Sequence, residues 1–233
     1  DYARAIINGL DTVFEEYKLT ASMVQQVRHG TTVASNAILE RKGAKTGLIG
    51  SKGFRDVLEI RTLRMPRLYD LAWTKPPALV ERFLRVTVDE RVNSAGDVVK
   101  PLTVKEGERA VRKLIDEKVE SIAVCLINSY ANPEHEFLLK SVIERLAPDL
   151  PFSISAEVLP EIREYERTST TTINAYVKPI VSEYLETLEA GLIASGINAE
   201  LLLMQSNGGL TPVETAAELP MNIIESGPAG GVV

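Results

Sequence analysis

Apolar residues recur every three or four positions at the start of the chain. Ala3, Ile6, Ile7, Leu10, Val13 and Phe14 share one face of a helix predicted to end near Tyr17. MVQQVRHGTT then reads as a short strand entering a glycine turn. TTVASNAILERKG reads as a helix, with Thr31 or Thr32 as its cap, Val33, Ala37 and Ile38 on one face, and Gly43 as its terminator. KTGLIGS is the next strand and GFRDVLEIR another short helix. Periodicity then disappears: residues 61–82 contain three prolines, four arginines and the single tryptophan, Trp73, a pattern that predicts a long loop or lid. RFLRVTVDERVN and DVVKPL, separated by Ser94, Ala95 and Gly96, predict a β-hairpin.

From Val104 onward the pattern is regular. Helix VKEGERAVRKLIDEKV, strand SIAVCLIN, helix PEHEFLLKSVIERLA and strand FSISAEV follow one another, which predicts right-handed crossovers and a largely parallel sheet with helices on both faces. A long helical segment starting in EIREYERTSTTTINAY continues beyond Pro179 and closes at Gly196. Strand ELLLMQS, a turn at Asn207, Gly208 and Gly209, helix PVETAAEL, strand MNIIES and the segment ESGPAGGVV complete the chain. The predicted class is α/β.

Composition narrows the functions available. With 45% apolar residues in 233, the chain can bury a substantial core. Its 26 Lys and Arg against 32 Asp and Glu give no general reason to expect nucleic acid or an anionic membrane as partner. No apolar run reaches the about 20 residues that span a bilayer. The only cysteine, Cys125, sits in SIAVCLI and reads as a small buried hydrophobe, which fits a reducing cytoplasm. Because the first residue is Asp and a helical stripe begins at once, the chain is expected to start inside a larger protein.

Three strand ends pass through glycine or small hydroxyl residues: RHGTT, QSNGG and ESGPAGG. In α/β sheets, ligands bind at the carboxyl ends of strands, and backbone N–H groups there favour phosphate oxygens. For each loop alone, a simple tight turn is the competing reading, and neither a Walker loop nor a GxGxxG fingerprint is present. His29, beside Gly30 and Thr31, is open to a structural role or to contact with phosphate, a metal or a carbonyl. His135, just after Pro133, reads as a surface residue. The dense charges of EIREYERTSTTT suit a solvated helix face, or an anion site built on Arg167. Arg61, Arg64 and Arg67 suit either a loose basic loop or a lid over an anion.

Taken in order, HGTTVASNAILERKGAKTGLI, GFRDVLEI, EVLPEIREYERTSTTTINAYV, MQSNGGL and ESGPAGGV resemble the hydantoinase A / 5-oxoprolinase family, including acetone and acetophenone carboxylase subunits. The resemblance implies an actin-like, sugar-kinase-like (ribonuclease H-like) ATPase lobe with a mixed, mostly parallel sheet and an inserted α+β region. Residues 1–165 would form the N-terminal region, with the loop and hairpin at 61–103 inserted, and residues 166–233 the start of the ATPase region. It also implies ATP, Mg or another divalent metal, a hydantoinase B-type subunit, an oligomeric full-length form, and a phosphate hairpin beyond each end of the chain. The reaction implied is ATP-driven opening of a hydantoin, N-methylhydantoin or 5-oxoproline; the alternatives are a ketone carboxylase subunit and a non-catalytic assembly module. His29 and Asn207 are the catalytic candidates. Gly30, Thr31, Thr32, Asn36, Arg167, Ser206, Gly208, Gly209, Ser226, Gly227, Pro228, Gly230 and Gly231 are the candidates for contact with substrate or phosphate. The resemblance would also set Asn207 near the strand end where sugar kinases place an aspartate that deprotonates a hydroxyl, and an amide suits a carbonyl with no proton to lose.

Overall fold

A computed structural model describes residues 2–62, 69, 70 and 72–232. The elements in chain order are α1 (Tyr2–Tyr17), β1 (Gln26–His29), α2 (Val33–Leu39), β2 (Thr46–Ser51), α3 (Val57–Ile60), β3 (Arg85–Val88), β4 (Arg91–Val92), β5 (Val98–Lys100) and α4 (Val104–Asp116). They continue with β6 (Ser121–Cys125), α5 (Glu134–Leu146), β7 (Phe152–Ile154), α6 (Ser155–Val158), α7 (Glu164–Ala194), β8 (Glu200–Met204), β9 (Leu210–Pro212), α8 (Val213–Glu218) and α9 (Ser226–Val232). The class is α/β with mostly parallel strands, as the alternating pattern predicts.

The strands divide between two compact units. One comprises Asp1–Gly43 with Val177–Val233, the other Ala44–Tyr176. The long helix α7 contributes its first part to one unit and its remainder to the other.

In the continuous unit, four parallel strands run in the order β3-β2-β6-β7. β2 and β6 are buried at every position, as strands covered on both faces must be. Ile49, Ile122, Val124 and Ile154 pack with Leu114 of α4 and with Leu139 and Ile143 of α5, none of them measurably exposed. Thr103 caps α4 by accepting the Glu106 backbone N–H at 3.2 Å. Only Arg91–Val92 and Val98–Lys100 form the antiparallel ribbon. The stretch expected to be the first arm of a longer hairpin instead supplies β3, which pairs in parallel with β2 from Leu48↔Arg85 to Ser51↔Val88.

His135 is not a surface residue. It is 5% exposed, its Nε2 accepts the Leu102 backbone N–H at 3.1 Å, and its Nδ1 lies 2.7 Å from Glu90 Oε2. A ring whose Nε2 accepts must carry its proton on Nδ1 when neutral, so it donates to the Glu90 carboxylate. Ser51 Oγ donates to the other Glu90 oxygen and accepts from Ile127 N. Cys125 is buried as expected, and burial pushes its thiol up to about 11.

In the discontinuous unit, β1 pairs in parallel with β8 and β8 antiparallel with β9. Two expectations fail here. The helix at α2 stops at Leu39, short of Gly43, and Arg41 takes a positive φ of 54° after it. MNIIES is not a strand: Pro220–Ile223 is a 3-10 turn that buries Ile223, and α9 follows from Ser226. The Asn222 carbonyl accepts from the backbone N–H and the hydroxyl of Ser206, so the segment is held without a strand partner.

Candidate functional site

The β1–β8 register sets His29 opposite Leu203, which brings the carboxyl ends of two parallel strands side by side. The turns leaving them, and the segment entering α9, are tied together. Ser226 is fully buried and clamps Thr31 in both directions: its Oγ accepts Thr31 N–H at 3.0 Å and donates to the Thr31 carbonyl at 2.8 Å. A Cβ on Gly30 would lie 2.9 Å from the Ser226 carbonyl oxygen, and one on Gly227 would lie 2.8 Å from Thr32 Cγ2. Glycine at position 30 lets the two backbones touch, and glycine at 227 leaves room for the Thr32 side chain. Ser206 completes the link: it donates to the Asn222 carbonyl at 2.8 Å and its Oγ accepts Glu225 N–H at 3.1 Å.

The β8–β9 turn is self-supporting. Asn207 Oδ1 accepts Gly209 N–H at 2.8 Å, and Gly208 takes φ +85°. The Asn207 side chain is exposed beyond that bond. After β1, Thr31 Oγ1 accepts Val33 N–H at 3.2 Å and Asn36 Nδ2 donates to Thr32 Oγ1 at 3.3 Å. His29 Nε2 is 2.6 Å from the Tyr184 hydroxyl, the two rings tilted at 43°. Burial lowers the His29 pKa, so the ring is neutral at pH 7. Burial raises that of Tyr184, against a hydrogen bond with the Thr31 side chain.

Fourteen of the fifteen sequence-predicted residues thus lie in this unit, with the turns after β1 and β8 and the start of α9 joined by the bonds above. Pro228 and Gly230 lie in α9, with Met204 Cγ 3.8 Å from the site a Gly230 Cβ would take; Gly231 has open space there. Arg167 belongs to the other unit. It is fully buried, donating to Ser129 Oγ, to Ser155 Oγ at 3.1 Å and to the Leu126 carbonyl at 2.8 Å. The same serines donate to Glu136, also fully buried, whose pKa burial raises. Arg61 takes an unusual φ of 58° and lines a recess of about 720 Å³ with Arg163, Glu164 and Glu166. Arg64 and Arg67, the other arginines of the expected lid, lie outside the described residues.

Sequence reasoning missed Tyr184. It lies 155 positions from His29, on a helix face with Val177, Val181 and Leu188, where an aromatic reads as core. Among the described residues, no group of three or more His, Cys, Asp or Glu is arranged to hold a metal ion, so the candidate site does not fit a divalent cation through its own side chains. The turns themselves, Gly30, Thr31 and Thr32 and then Ser206, Asn207, Gly208 and Gly209, carry hydroxyl, amide and peptide groups and no charged side chain. That donor set suits a polyphosphate or a carbonyl oxygen.

The hydantoinase/oxoprolinase N-terminal region matches residues 1–147, and the hydantoinase/oxoprolinase region matches residues 167–233. Caprolactamase subunit alpha of Pseudomonas jessenii is 35% identical over 98% of this chain and 34% of its own length. 5-oxoprolinase 1 of Arabidopsis thaliana is 33% identical over the whole chain and 20% of its own length. The crystal structure of the ATP-dependent caprolactamase from P. jessenii superimposes with a TM-score of 0.89 at 35% identity, covering 97% of this chain and 33% of that one. A nucleotide-free acetone carboxylase, described as catalysing ATP-dependent acetone carboxylation, gives 0.77 at 28% identity over 88% and 30% of the two chains. The chain thus spans between a fifth and about a third of the length of these relatives. No helix among the described residues is long and apolar enough to cross a membrane.

Proposed function

This chain belongs to the hydantoinase/oxoprolinase family, and from that premise we propose that it forms part of a cytoplasmic ATP-dependent enzyme that activates and opens a cyclic amide. The observation that carries the reading is the superposition, over nearly the whole chain, on an ATP-dependent caprolactamase. A lactam carbonyl is a poor electrophile, and a phosphoryl group delivered from ATP to its oxygen makes a leaving group that water can displace.

In this reading the joined turns after β1 and β8 serve positioning. Peptide N–H groups and the hydroxyl of Thr32 take phosphate oxygens, Ser206 holds the turn to the α9 entrance, and the Asn207 amide orients the carbonyl. His29, neutral and steadied by Tyr184, hydrogen-bonds substrate without adding charge. Ser226, Gly227, Pro228, Gly230 and Gly231 keep the α9 entrance slim. Any divalent ion, Mg or another, is held by groups outside this chain's candidate site. A partner subunit, of hydantoinase B type by resemblance, follows from relatives named as subunits of larger assemblies.

The test is phosphate release by the complete protein with its partner, offered 5-oxoproline, hydantoin, N-methylhydantoin and caprolactam. Stimulation by at least one, with the ring-opened product, is expected; release indifferent to every lactam would refute the reading. The acetone carboxylase match supports a second one, in which the activated oxygen belongs to a ketone or to bicarbonate. Labelled bicarbonate entering an acid-stable product with acetone or acetophenone would select it.

A further inference from the structure

We propose that the Ala44–Tyr176 unit holds one halide-sized anion in its interior, bound by Arg55, Arg85 and Arg167. A cavity of about 10 Å³ is lined by these three arginines together with Cys125, Glu164 and Thr168. Such a volume admits about one water-sized centre, which rules out a phosphate or sulfate, with five heavy atoms. Arg167 is fully buried and Arg85 is 4% exposed. Arg55 Nε, Arg85 Nη1 and Arg167 Nε are all buried and have no hydrogen-bond partner among the described residues. Of their other nitrogens, Arg55 Nη2 donates to the Arg82 carbonyl at 2.7 Å, Arg85 Nη2 to Glu59 and Arg85 Nε to the Val80 carbonyl, each at 3.1 Å, and those of Arg167 to Leu126, Ser129 and Ser155. Asp56 Oδ1 stands 3.8 Å from Arg85 Nη1, beyond hydrogen-bond reach.

Two considerations select an anion over water. The lining carries three guanidinium groups against one carboxylate, that of Glu164. The fully buried side-chain atoms left without a partner there are all donors. A water molecule offers two lone pairs to three donors, whereas a halide accepts from all three. Thr168 already directs its hydroxyl to Cys125 Sγ at 3.2 Å. The ion would tie the segment before α3, the start of β3 and the first turns of α7 to one point. The inference stands on this cavity alone and survives if the nucleotide reading fails.

The experiment is thermal melting of the protein at fixed ionic strength, with chloride, bromide or gluconate as the anion, alongside crystals grown in bromide. A saturable rise of Tm with chloride and bromide, absent with gluconate, is expected. Arg55→Met should raise the half-saturating chloride concentration about tenfold or more, the loss of one hydrogen bond to a charged partner. Anomalous bromide density beside Arg167 completes the expectation. Equal melting in chloride and gluconate, an unchanged half-saturation in R55M, or bromide density absent from the cavity would each overturn the proposal. If R55M fails to fold, the bromide crystal decides.

Discussion

Two glycines in the candidate site differ in what a methyl group would meet, and that difference predicts their tolerance. A Gly30 Cβ would press on the Ser226 carbonyl, which is backbone and cannot move aside without disturbing the Thr31 clamp. A Gly227 Cβ would press on the end of the Thr32 side chain, which can rotate. We expect Gly30→Ala to cost about 1–3 kcal/mol and Gly227→Ala less than about 1 kcal/mol, by chemical denaturation. Equal losses would show that the loops do not meet as described. Ser226→Ala strands the buried Thr31 N–H and should cost about 1–3 kcal/mol. His29 adds a pH signature. Its folded pKa lies below the ordinary 6.5, so on acidification the unfolded chain takes up this proton first. The stabilisation is complete above about 6.5 and is lost as pH falls below it. The stability difference between wild type and His29→Gln, measured across that window, should tilt in this direction. None of these contacts is visible in sequence beyond the presence of small residues, since Thr31 and Ser226 are 195 positions apart.

Elements with strong local periodicity were legible. The stripes of α4 and α5 and the apolar block of β6 appear where the pattern places them, because each buries one face, or both faces, against the same sheet. Pairing was less legible. β3 carries residues suited to either a hairpin or a parallel ladder, and only the edge left open beside β2 decides between them. The run MNIIES reads as a strand by composition, yet Pro220 and the Asn222–Ser206 bonds turn it into a 3-10 segment. Charge density left α7 open between a solvated face and an anion site built on Arg167, and that residue is fully enclosed. Removing its guanidinium takes from buried Glu136 the cation that Ser129 and Ser155 link to it. Arg167→Met should therefore cost about 3–5 kcal/mol. Adding Glu136→Gln should recover part of that loss, and a double variant no better than the single one would refute the coupling.

At the scale of the molecule, one unit is continuous in sequence and the other is not. Residues 44–176 contain the four-stranded parallel sheet with its own core, and their ends are already joined, Ala44 N–H donating to the Tyr176 carbonyl at 2.9 Å. We expect this segment, expressed alone, to melt cooperatively, with Cys125 unreactive to iodoacetamide until it unfolds, as a buried thiol with its pKa raised to about 11 requires. Prompt alkylation in native buffer would contradict the packing. The pairing of Val27 with Leu201 has a consequence for how the protein is made. A ribosome delivers β1 long before β8, and the intervening unit has emerged in full before the first strand meets its neighbour. During that interval β1 lacks the ladder that β8 will supply, and a nascent chain arrested before residue 200 would carry an open strand edge of the kind chaperones shield.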